Sequence, residues 1–79
     1  MTNIEKYNSA FISVFPINES VLNDDFSKET IDAWDSVHQL SVVANLEELF
    51  DILFEPEDIM ALISYREGKE ILAKYEIII

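Results

Sequence analysis

"WDSVHQLSVVANLEELFDI", residues 34–52, reads as a helix with two apolar faces. At about 100° per residue from Val37, residues Val42, Val43, Leu46, Leu49 and Phe50 fall within one broad stripe. That predicts a helix from Ser36 to about Asp51 with this stripe in the core. Val37, Leu40 and Ala44 form a second, narrower stripe roughly opposite, with Ser41 and Glu48 beside it and Glu47 on its other flank. Two separated apolar stripes need two separate partners. The second either packs beneath another part of the chain or forms an exposed apolar strip rimmed by acids, suited to docking. In the docking case Asp35, Glu47 and Glu48 supply charge that steers a basic partner to it.

On either side of this segment the spacing stays helical, which predicts an all-α fold. Ile4, Tyr7, Phe11, Val14 and Phe15 share a face, giving a first helix from about Asn3 to Phe15 that Pro16 ends. Residues 16–35 form a long connection whose apolar anchors are Val21, Leu22, Phe26, Ile31 and Trp34. A connection of this length in a small domain needs such anchors and a short turn of helix. Pro56 suits the first turn of a short third helix running through Leu62, with acids at its N-terminus. Ser64 followed by Glu67 is a capping-box pattern that opens a last helix, whose inward face is Ile71, Leu72 and Tyr75. Gly68 lies inside that helix at a cost of about 1 kcal/mol relative to alanine. The tail "EIII" packs on the helices or frays. Residues 1–79 make one domain, with no internal repeat.

Sixteen acids against five bases give a net charge of -11. Such a surface repels nucleic acid and anionic membranes and attracts basic partner patches. Yet 49% of the residues are hydrophobic, enough to fold a chain this acidic. Self-repulsion within the fold makes added salt or a divalent cation stabilising. The melting temperature is therefore expected to rise with ionic strength, and a flat or falling curve would contradict this. The absence of cysteine excludes disulfides and thiolate metal sites. "MTNIEKYNSAF" lacks the basic and apolar segments of a signal peptide, and no stretch has membrane-spanning length. The expectation is a soluble, cytoplasmic, monomeric protein.

Ser36 admits two readings. With Gln39 it fits the S-x-x-Q variant of the capping box, although Asp35 is also a good N-cap. Alternatively, a phosphate esterified to a hydroxyl at this point lies near free backbone N–H groups and the positive end of the helix dipole. The two are compatible if Asp35 caps and Ser36 is modified. A nucleophilic serine would need a base and an oxyanion site. The single histidine, His38, lies two residues on and points to another side, and "AWDSV" lacks the glycines of a nucleophile elbow. His38 reads as a solvated or partner-facing residue. "NDDF" and "EPED" cluster acids without the spacing of a calcium loop. The sequence therefore offers no catalytic residue and no metal site.

The stretch "WDSVHQLSVVANLEELFDI" resembles the modification site and second helix of acyl carrier proteins, in which Asp-Ser-Leu precedes an apolar-rich helix ending in Leu-Glu-Glu and a Phe. The likeness extends over most of the chain: a first helix, a long loop, the Asp-Ser helix, a short helix after "FEPED" and a last helix at "SYREGKEIL". It implies a four-helix bundle with three longer helices and a short third one. It further implies that Ser36 carries a 4'-phosphopantetheine arm, installed from coenzyme A by a separate Mg-dependent phosphopantetheinyl transferase, whose thiol holds acyl groups as thioesters. Asp35 would help the transferase at the helix entrance. Val37, Leu40, Ala44, Glu47 and Glu48 would form the surface that docks basic patches of acyl-transferring and synthase enzymes of fatty-acid, polyketide or other specialised lipid biosynthesis.

This chain departs from the family pattern at three places. Val37 stands where Leu is usual. His38 and Ser41 replace frequent acids. Trp34 lies in an "AWDSV" that lacks the usual glycine two residues before the Asp, which is closer to carriers of specialised pathways. The Gly-Gly-x-Ser pattern of peptidyl carriers is also absent, which favours an acyl cargo. The rival reading is an acidic helical interaction module that uses Val37, Leu40 and Ala44 without any arm.

Overall fold

Four α-helices make up the regular structure of residues 1–79 in the computed structural model: α1 (Asn3–Ile12), α2 (Ser36–Phe50), α3 (Pro56–Ala61) and α4 (Tyr65–Lys74). A 3-10 turn spans Glu19–Val21 in the long connection, and there is no strand. The fold is all-α, and no helix is long and apolar enough to cross a membrane.

Local chemistry accounts for the helix ends. Thr2 accepts the Glu5 N–H while the Glu5 carboxylate accepts the Thr2 N–H, a reciprocal cap that starts α1. α1 ends at Ile12, three residues before the Phe15 end predicted from spacing. The residue before a proline is driven off helical backbone, which breaks the ladder ahead of Pro16. The Phe15 N–H still bonds to the Phe11 carbonyl at 2.8 Å, so a last turn delivers Phe15 to the core. α2 is capped by Asp51, whose left-handed backbone (φ 54°) reverses the chain and sends the Ile52 N–H back to the Glu47 carbonyl at 3.1 Å. Pro56 sits at the first turn of α3. The Ser64 hydroxyl accepts the Glu67 N–H at 2.9 Å and opens α4.

Aromatic rings dominate the centre. Phe11 is fully buried and meets Tyr7, Phe26, Trp34 and Tyr65 at centroid distances of 5.1–6.0 Å, mostly edge to face or tilted. Val42, Val43 and Leu46 of α2, Leu62, and Ile71 and Leu72 of α4 complete the core. Leu49 and Phe50 pack against it half-buried, as do Ile77 and Ile79 of the tail. Ile4 and Val21, expected inside, are exposed.

The long connection is held by backbone pairing as well as by anchors. The Lys28 N–H bonds to the Ile63 carbonyl and the Tyr65 N–H to the Phe26 carbonyl, each at 2.8 Å. This ties residues 26–28 to the link between α3 and α4 and places Phe26 in the core. Tyr65 is a crossroads. Its carbonyl accepts the buried Tyr7 hydroxyl, its own hydroxyl donates to Asn8, and Lys69 lies over its ring.

Gly68 is required by close approach. A Cβ there would lie 2.1 Å from the Tyr7 hydroxyl oxygen and 2.9 Å from Leu62 Cδ1. Tyr7 is a rigid ring walled in by Phe11 and Tyr65, so it cannot swing aside cheaply. Gly68→Ala gains about 1 kcal/mol of helix propensity and loses more through overpacking and a broken hydrogen bond, for a net loss of about 2 kcal/mol. Adding Tyr7→Phe should recover part of that loss in urea unfolding. An alanine variant as stable as the parent would disprove the clash.

Candidate functional site

The entrance of α2 is built by Asp35. Its backbone is extended, and Oδ1 accepts both the His38 N–H at 2.9 Å and the His38 ring Nδ1 at 2.7 Å. These two bonds, the backbone one first, hold the Asp35 carboxyl below the usual carboxylate range. His38 is thereby fixed rather than freely solvated, and its ring stacks on Phe15 with centroids 5.6 Å apart. Asp35 is therefore the N-cap of α2, and the Ser36–Gln39 capping box does not form. Ser36 is exposed, and its hydroxyl has no hydrogen-bond partner. His38 engages Asp35 rather than Ser36, so no base-activated serine is assembled.

Gln39 has a different task from the one its spacing suggests. It is 7% exposed. Its Oε1 accepts the Trp34 indole N–H at 3.3 Å and its Nε2 donates to the Ile59 carbonyl at 2.7 Å. One side chain thus joins the end of the long connection, α2 and α3, and every buried side-chain polar atom in the fold is satisfied. The sequence pattern gives no signal for this bridge, because a glutamine three residues after a serine also fits a cap.

Above Gln39 lies an open pocket of about 230 Å³ lined by Lys28, Ser36, Gln39, Leu40, Ile59 and Met60. The long connection, α2 and α3 each contribute to it. Lys28 has no ion-pair partner there, whereas Lys74 and Arg66 are paired with acids and Lys6 and Lys69 lie over aromatic rings.

The second stripe of α2 is exposed: Val37 at 70%, Leu40 at 55%, and Ala44 with them. Met60 at 78% and Leu53 extend the apolar surface beyond α2. The stripe does not pack beneath the long connection. The structure divides the sequence-predicted residues between two places. Leu40 shares the Ser36 pocket, while Ala44, Glu47 and Glu48 line a second groove with Asp51, Ile52 and Leu53. Glu48 is exposed, but Glu47 is half-buried and its Oε2 accepts the Phe54 N–H at 2.8 Å. Glu47 therefore holds the turn after α2 as well as adding charge.

α3 is pinned from its far side. The Asp58 carboxylate, 4% exposed, accepts Lys74 Nζ at 2.5 Å and the Tyr75 hydroxyl at 2.7 Å. These bonds, Lys74 first, hold the Asp58 carboxyl below its ordinary value despite burial. A pKa depressed by folding means a contribution that is full above the unfolded value of about 3.9 and lost as pH falls through the lower folded value. Stability should therefore decline below about pH 4, and Asp58→Asn should flatten that decline in urea titrations. An unchanged acid limb in the variant would exclude this role.

Comparison of the chain with protein-family models, with curated proteins and with solved structures returns no match.

Proposed function

We propose that this protein is a non-catalytic acyl carrier whose Ser36 hydroxyl is the attachment point for 4'-phosphopantetheine. The observation that carries the reading is the division of labour at the α2 entrance. Asp35 does the capping, which leaves the neighbouring serine hydroxyl exposed, unbonded and beside an open pocket. Under this reading the four helices form an acyl-carrier-type bundle.

The residues present suit the group. Ser36 Oγ can attack the pantetheine-side phosphorus of coenzyme A, forming the phosphoester as the anhydride bond to the nucleotide breaks, with the serine proton passing to the transferase or to solvent. The arm, once bound, supplies a terminal thiol for thioesters. Asp35 lies exposed at the helix entrance, where a transferase's magnesium and substrate would approach. Val37, Leu40 and Ala44 offer an apolar strip, and Glu47 and Glu48 add charge for enzymes with basic docking patches. The cargo pathway is fatty-acid, polyketide or other specialised lipid biosynthesis, and the working form is a cytoplasmic monomer that does not bind nucleic acid.

The exposed stripe also favours a second reading, an interaction module without an arm. Intact-protein mass spectrometry with a broad-specificity phosphopantetheinyl transferase, coenzyme A and magnesium separates the two. A single phosphopantetheinyl addition, mapped to Ser36, supports the carrier. No addition with the helical fold intact supports the module.

A further inference from the structure

We propose that Gln39 governs where the carrier's cargo lies: it seals the seam between α2 and α3 and keeps the acyl group at the surface, in the pocket beside Ser36. The proposal rests on the carrier reading and deepens it.

An acyl group tethered at Ser36 has two places to lie, the open pocket or the interior behind it. The way inward passes Gln39, which is bonded on one side to the buried Trp34 indole and on the other to a carbonyl of α3. A chain entering there must break both bonds, stranding an indole N–H and a peptide carbonyl among apolar neighbours. Burial of methylenes offsets that only after several have entered, so short groups gain nothing by going in. Behind the amide the space is filled. Trp34 is 2% exposed and packs against Phe11, Phe15 and Phe26 at 5.5–5.8 Å. The pocket outside holds about 230 Å³ and is walled by Leu40, Ile59 and Met60, enough for a short acyl group lying along it.

The test loads the protein through the transferase from butyryl- and octanoyl-coenzyme A, then follows thioester cleavage by hydroxylamine with intact mass spectrometry. On the parent the two thioesters should be cleaved at rates within about twofold of each other, since neither is sequestered, and Trp34 fluorescence should be the same for both. Gln39→Ala removes the polar seal together with its side-chain volume, which extends the pocket inward, and should slow octanoyl cleavage about tenfold while leaving butyryl unchanged. Gln39→Ser, nearly as small but polar, serves if the alanine variant fails to fold. Strong protection of octanoyl on the parent would overturn the proposal and leave the carrier reading standing. So would a folded Gln39 variant that protects nothing. Failure of every variant to accept any phosphopantetheinyl group would overturn both.

Discussion

Ser36→Ala is expected to fold with the parent's stability and to accept no phosphopantetheine at all. Three features combine to make the outcome sharp. The cap of α2 is the Asp35 carboxylate, which the substitution leaves in place. The Ser36 hydroxyl has no partner to lose, and alanine is the better helix former, so the change in stability should stay within about 0.5 kcal/mol. The chemistry, in contrast, has one oxygen to use. Neighbouring hydroxyls are committed elsewhere; Ser41, for example, donates to the Val37 carbonyl at 3.1 Å. Thermal unfolding and intact mass on the same sample would show an unchanged melting temperature beside a complete loss of modification. A lowered melting temperature would mean that Ser36 supports the helix after all. Modification of the alanine variant would place the acceptor elsewhere.

Phe11→Ala should have the largest effect on the fold, a loss of about 3–5 kcal/mol. The ring is fully buried and touches four other aromatic rings drawn from α1, the long connection and the start of α4. Because those neighbours are rigid, they close poorly over the vacated space, which puts the cost at the high end for such a change. A domain of 79 residues has about 4–12 kcal/mol in total, so the variant should be partly or wholly unfolded at room temperature. Phe11→Leu keeps most of the volume and should cost about 1–2 kcal/mol. Urea unfolding followed by circular dichroism gives both values. A loss under about 1.5 kcal/mol for alanine would show that the ring cluster can repack around the gap.

Local signals made much of this legible. The stripe of Val42, Val43 and Leu46 marked the buried face of α2, and Pro56 and Ser64 marked the starts of α3 and α4. The helical period set Val37, Leu40 and Ala44 apart as a second stripe but left open whether it was covered, and the structure exposes it. Features set by distant partners were not legible. Phe26 and Val21 both read as anchors of the long connection, yet Phe26 is buried and Val21 exposed because residues 26–28 pair with residues 63–65, a contact that no window of local sequence contains. Gln39 reads as a surface or capping residue until Trp34 and Ile59 are brought to either end of its amide. Gly68 reads as a weak point in a helix, and its value lies in a tyrosine hydroxyl 61 residues earlier in the chain (68 − 7). The pocket beside Ser36 depends on Lys28 and Met60, which only the assembled fold brings to it.

The crossroads at Tyr65 also bears on the order in which the chain assembles. Its carbonyl meets the Tyr7 hydroxyl across 58 residues, and its amide meets Phe26 in the same step. Closing loops of that length costs entropy before any contact repays it, so the first and last helices gain little by docking singly. The favourable route brings α1, the Phe26 segment and the head of α4 together at once, with Phe11 as their common surface. α3, six residues long and marginal as an isolated helix, then forms last on a finished frame. Slowed refolding should thus follow changes at Tyr65 and Phe11, while changes in α3 should act mainly on the rate of unfolding.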